Sequence, residues 1–222
     1  MDGAAPLRGP QLAGPIQVAV VLDPAGRGTA KQVQDGVRKA AHALEDAGCA
    51  VEEVEPPSIE AAAQALVVML STPGTRAVWQ QVMPPWLPAP TRQFMAAFFQ
   101  TAGNPDAVAA EQSFITRHSA LRSWAEFQET YPLIVAPIAT DIPAVAGSDL
   151  GEGQVAKDLT TMRMAMAVNA LGLPAVAVPV GIQDGLPQVV QVIGPRYRED
   201  LCLDAAGMIE DIVGIITPID PR

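Results

Sequence analysis

Residues 16–54 constrain the fold more than any other stretch. Residues 16–22 form a short, apolar, β-branched run that reads as a buried strand. After the loop Asp23-Pro-Ala-Gly-Arg-Gly, a helix is predicted from about residue 29 to 47. Val33, Val37, Ala41 and Leu44 share one face, and Gly48 stands where a helix-terminating glycine belongs. Residues 50–54 then read as a second strand, closed by Pro56-Pro57. Strand, helix and strand at this spacing predict a βαβ unit with its two strands parallel.

The remainder alternates in the same way. A helix is predicted over residues 59–70. Pro73, Pro84, Pro85, Pro88 and Pro90 then break the chain into short pieces, and Trp79, Trp86, Phe94, Phe98 and Phe99 suggest a helical cap that buries aromatic surface. Asn104-Pro105 predicts an N-cap and first helical position for a long helix to about residue 129. Residues 133–138 read as a third core strand. A polar loop with Gly147, Gly151 and Gly153 precedes a helix over residues 156–169. Residues 175–180 and 188–193 are apolar strands of an antiparallel hairpin, and Asp200 is read as the cap of a last helix carrying Leu201, Ala205, Met208 and Ile212. Gly207 inside that helix costs up to ~1 kcal/mol relative to alanine.

Composition narrows what such a fold can do. Hydrophobic residues make up 49% of the 222 and charged residues 17%, enough for one sizeable core. A net charge of −10 and a pI near 4.6 argue against nucleic acid or an anionic membrane as main partner. No segment approaches the ~20 apolar residues of a membrane span. The first 17 residues lack the apolar core of a signal peptide, so a cytoplasmic location is expected. Residues 1–15, rich in Pro, Gly and Ala, read as a flexible segment or a strap, and residues 16–222 as one domain. Cys49 and Cys202 sit in apolar surroundings and read as buried reduced thiols rather than a disulfide. Two cysteines and two histidines at unrelated spacings do not make a zinc site.

No nucleophile announces itself. Ser148, in Gly147-Ser148-Asp149, lacks the flanking glycines of a nucleophile elbow and reads as a loop serine. Lys157 could approach it across the loop; Lys31 and Lys39 fall on the solvent side of the first helix. His118 shares a face with Phe114, Leu121 and Ala125 and reads as a buried core histidine, His42 as an exposed one. Met162, Met164 and Met166, two residues apart, splay around a helix and suit packing. Glu52, Glu53 and Glu55 read as the solvated end of a strand, and no phosphate-loop, dinucleotide or metal-ligand pattern is present.

Three ordered segments resemble the amidase-signature family. Tyr131-Pro-Leu-Ile-Val-Ala-Pro-Ile-Ala-Thr-Asp-Ile-Pro is similar to its strand and loop reading Asp, apolar run, Pro, Thr, x, Pro. Asn169-Ala-Leu-Gly-Leu-Pro-Ala-Val-Ala-Val-Pro-Val-Gly is similar to its Asn-x-x-Gly-x-Pro-Ala segment, and Gly185-Leu-Pro, Gln191-Val-Ile-Gly and the helix ending near Glu210 to its last strand and helix. The likeness covers the chain from about Ile16. It implies an α/β fold, the carboxy-terminal half of the amidase-signature fold, with a mixed sheet between helical layers. The activity implied is hydrolysis of a carboxamide through an acyl-serine, with no cofactor and no metal. The family's serine nucleophile, second serine and lysine base lie in a Gly- and Ser-rich segment before everything matched here. This sequence contains no Gly-Gly and no Ser-Ser pair, so no catalytic residue carries over. By position in the family's loop, Thr140, Asp141 and Ile142 are the expected substrate-binding residues. Val189 stands where the family usually has glycine.

The resemblance thus implies a truncated or split amidase, inactive alone, whose partner is a companion chain carrying the missing half or a second copy of itself. The alternative is a non-catalytic interaction module derived from an amidase.

Overall fold

The computed structural model describes residues 8–145, 147–148 and 153–216. Parallel β1 (Gln17–Val20) and β2 (Ala50–Glu53) are joined by α1 (Lys31–Asp46), as the opening pattern predicts. β3 (Leu133–Pro137) lies parallel to β1 on its other side. The hairpin of β4 (Ala175–Gln183) and β5 (Leu186–Ile193) adds through β5, antiparallel to β3, giving the order β2-β1-β3-β5-β4. The hairpin turn is tighter than predicted. Both strands run on until only Asp184-Gly185 separates them, and both residues have positive φ (52° and 79°), as a two-residue type I′ connection requires.

Alternation along the strands feeds two cores. Val18, Val20, Leu133, Val135, Val178, Val180, Val190 and Val192 face α1 and α8 (Glu199–Val213). Ala19, Val21, Ile134, Ala136 and Ile193 face a layer made by α2 (Ile59–Ser71), α5 (Ala107–Thr130) and α7 (Arg163–Leu171). The result is three layers, helix on mixed sheet on helix. Trp124 anchors the second core, fully buried, with its Nε1 donating to Pro57 O at 2.7 Å. Phe98 and Phe99 of α4 (Ala89–Ala102) pack against Val67 and Val155 in a smaller cap. Trp86, expected in that cap, is instead 81% exposed.

Three helix readings need correction. The long helix is capped by Asp106, which accepts from Ala109 N at 2.8 Å, and not by Asn104. The single helix expected over 156–169 is two, α6 (Gln154–Thr161) and α7, meeting at Met162. Thr161 gives its carbonyl to Thr140 N at 2.9 Å, and Arg163 turns inward there. Asp200 does not cap α8; Arg198 holds that position, and Asp200 in the first turn accepts from the Arg198 guanidinium and from Gly9 N at 3.0 Å.

The last contact ties down residues 8–10. Arg8 also pairs with Asp204 at 2.7 Å, and Pro10 O accepts from Arg198, so this stretch is a strap across α8. Residues 1–7, Asp149 to Glu152 with the predicted loop glycine Gly151, and the tail with Pro218 and Pro221 lie outside the described residues. The Arg198 hydrogen bonds hold the Asp200 carboxyl down at about 2, with the Gly9 amide assisting. A depressed carboxylate stabilises the fold above its unfolded pKa and loses that contribution as pH falls through the folded one. Asp200→Asn is therefore expected to lower stability at neutral pH and to flatten the acid limb between roughly pH 4 and 2. Chemical denaturation at stepped pH reads this directly; parallel acid limbs for both proteins would contradict it.

Gly207 lies inside α8, and a Cβ built there meets no atom within 4 Å. Gly207→Ala is expected to raise stability by up to ~1 kcal/mol, read as a higher urea midpoint at constant slope. An unchanged or lower midpoint would mean that another surface covers this site.

Candidate active-site wall

The loop leaving β3 borders a cavity. It runs from the carboxyl end of that strand, beside the first turns of α1 and the β4–β5 turn. Between these three elements lies a cavity of about 370 Å³, lined by Val33, Ile142, Pro143, Leu186 and Val189 together with Asp141 and Asp184. Hydrogen bonds hold its walls together: Gln32 Nε2 donates to Asp184 Oδ2, and Gln188 Nε2 to Gln32 O and Gln183 Oε1, each at 2.7 Å.

Of the three expected substrate residues, the structure brings Asp141 and Ile142 to this cavity, with Ile142 45% exposed. Thr140 turns the other way: it is buried and accepts from Arg163 Nη1 at 3.2 Å. Asp141 pairs with Lys157 at 2.9 Å and accepts from Ile142 N. Lys157 and the Ile142 amide lower the Asp141 pKa, so it stays ionised, and Asp141 raises that of Lys157. A lysine held protonated in this way is a poor general base. Ser148 is exposed in the loop, as expected of a loop serine.

Arg163 was not singled out by sequence reasoning. Its side chain is 4% exposed. It donates to Thr160 O at 2.7 Å, to Gly28 O at 3.3 Å, to Pro24 O and to Thr140, and pairs with Asp23 Oδ1 at 3.2 Å. Burial lowers its pKa, while Asp23 and Glu60 oppose that effect. One cation therefore joins the loop after β1, the loop after β3 and the α6–α7 junction. A signal was available, because Arg163 falls four and seven residues before the buried Ala167 and Ala170, on the inward stripe of α7.

His118 is not the buried residue predicted. It is exposed, with Nδ1 2.7 Å from Phe114 O, because α5 buries the stripe of Ala120, Trp124 and Gln128 and leaves Phe114 48% exposed. It has no serine or cysteine partner among the described residues. His42 is exposed beside Glu45, and Glu52, Glu53 and Glu55 face solvent, as expected. Met164 is fully buried while Met162 is 45% exposed, the splay their spacing implied. Cys202 is buried and Cys49 half-buried, both free, with burial pushing the Cys202 thiol up to about 11. Among the described residues no group of three or more His, Cys, Asp or Glu could hold a metal, and no helix is long and apolar enough to cross a membrane.

The sheet edges differ. β2 is four residues long and carries exposed Glu52 and Glu53, the short charged form that resists further pairing. β4 is nine residues long, pairs only with β5 among the described strands, and exposes Ala175, Ala177 and Pro179.

Comparison with known proteins agrees with the fold. Residues 7–203 match the family described as Amidase. Indoleacetamide hydrolase of Bradyrhizobium japonicum is 34% identical over 217 residues, 96% of this chain and 46% of that protein. A glutamyl-tRNA(Gln) amidotransferase component of Streptococcus equi subsp. zooepidemicus is 39% identical over 80 residues, 36% of this chain and 16% of that protein. A bacterial aryl acylamidase of the amidase-signature family superposes with a TM-score of 0.70 at 20% identity, over 89% of this chain and 44% of its own. The chain spans less than half the length of these relatives. By the family match, the continuous 34% identity and the fold, the chain belongs to the amidase family, within the amidase-signature enzymes.

Proposed function

We propose that this chain is the substrate-side half of an amidase-signature hydrolase and acts only with a segment that carries the family's serine–serine–lysine machinery. The observation that carries this reading is the match along 96% of the chain to under half of an indoleacetamide hydrolase. Amide hydrolysis needs an activated nucleophile and donors aimed at the developing oxyanion. Neither is assembled at the cavity among the described residues, and Lys157, next to its lining, is paired with Asp141. The long, bare β4 edge supports the same reading, since an unpaired apolar strand invites another chain.

The substrate class follows from the wall. Apolar Val33, Ile142, Pro143 and Leu186 suit a hydrophobic acyl group, and ionised Asp141 beside Asp184 repels an acidic one. A neutral arylalkyl carboxamide such as indoleacetamide, the compound in the relative's name, fits both features. Val189, in place of glycine, narrows the same cavity.

Native mass spectrometry of the assembly purified from its source cells tests the reading. The expected mass includes a segment with paired glycines and serines, on a companion chain or on the same polypeptide. Recovery of this chain alone, as a monomer or a homo-oligomer, would overturn it and favour an interaction module.

A further inference from the structure

A second concavity lies at the other end of the sheet from the substrate wall. Its volume is about 530 Å³. Pro195 and Arg196 follow Ile193, which pairs with Ile134 near the start of β3, whereas the substrate wall follows the end of that strand at Pro137. The groove runs along one stripe of α5, from His118 through Arg122 and Ala125 to Glu129, and its far wall is Leu173, Pro195 and Arg196.

Its charge is unusual for this molecule. The net charge is −10, and Arg8, Arg27, Arg38, Arg163 and Arg198 each hold a carboxylate. Among the described residues Arg117, Arg122 and Arg196 hold none. Arg117 donates to Ala170 O and Arg196 to Leu171 O, both at the carboxyl end of α7. Their guanidinium groups converge on Gly172: a Cβ there would stand 3.6 Å from Arg196 Nη2 and 3.9 Å from Arg117 Nη2. Capping one helix end explains one donor of each and leaves the others of their forks unused. Arg122 is exposed on the groove with no partner among the described residues.

Gln128 adds an independent sign. It lines the groove, is 6% exposed, and its Nε2 is the one buried side-chain polar atom without a hydrogen-bond partner among the described residues. An orphaned buried amide costs about 1–3 kcal/mol unless something satisfies it. Unused arginine donors beside an unsatisfied amide call for an acceptor-rich occupant, and Glu129 is the only carboxylate on the lining among the described residues.

We propose that this groove binds a small organic anion through a carboxylate or phosphate group, at a site separate from the substrate wall. Arg122 and Arg196 grip the anion, the buried Gln128 amide gains its missing partner by turning toward it, and Leu173 with Pro195 packs the rest of the ligand. The site does not depend on the hydrolase reading, because none of its residues lines the substrate cavity.

Calorimetric titration of the chain at fixed ionic strength tests the proposal, with inorganic phosphate in one arm and phenylacetate in the other. Saturable one-to-one binding of at least one is expected, and the arm that responds names the group. Arg122→Ala is expected to weaken it about tenfold or more, the loss of one charge-assisted hydrogen bond, while leaving the thermal melt unchanged. Arg38→Ala, on α1, is the control and should leave binding intact. No saturation below about 10 mM in either arm would overturn the proposal. So would an Arg122→Ala titration equal to that of the unsubstituted chain, or equal weakening by both variants.

Discussion

Purified by itself, the chain is expected to release no ammonia from indoleacetamide above the uncatalysed background. Amidases of this kind owe rate gains of at least ~10⁶ to a positioned nucleophile and a preformed oxyanion site, so the deficit is a loss of the whole effect rather than a fraction. Ser148→Ala should change nothing. Asp141 holds Lys157 as an ammonium, so Lys157 cannot accept a proton from Ser148 at neutral pH. An ammonia-release assay over hours, with matched buffer blanks, checks this. Turnover by a homogeneous monomer would show that the cavity residues do the chemistry themselves.

Arg163→Met is expected to cost roughly 2–4 kcal/mol of stability through the loss of several charge-assisted hydrogen bonds, because Asp23, 37% exposed, can be rehydrated. Methionine matches the length and removes every donor, so Thr160 O and Gly28 O lose their partner and Asp23 its cation. Arg163→Lys should fall between, because one ammonium cannot reproduce a planar fork that spans three segments. The loops after β1 and β3 should loosen together, and with them the Asp141–Ile142 wall. Urea unfolding gives the energies, and amide exchange across residues 24–28 and 138–142 reports the loosening. A Met variant within about 1 kcal/mol of the parent would mean that Arg163 is a passenger in its network.

β1, α1 and β2 could be read in the sequence because their periods differ sharply and a glycine with positive φ ends the helix at Gly48. The hairpin was readable in outline from its apolar runs, though not in length, since Asp184-Gly185 closes it more tightly than the flanking polar residues suggest. The face of α5 was misread because apolar Phe114 and Ile115 lie on its exposed side, and periodicity cannot rank two weakly apolar faces. The α6–α7 break has no local cause: a carbonyl is drawn to Thr140 N from across the molecule. At the candidate site, loop position located Asp141 and Ile142, but only the partner Arg163 explains why Thr140 points away.

Labelling the native assembly with a fluorophosphonate probe, followed by peptide mapping, tests the division of labour most directly. The label is expected on a serine of the Gly- and Ser-rich segment outside this sequence, with none of its own serines modified. A label on Ser148, lost together with amide hydrolysis in Ser148→Ala, would contradict it.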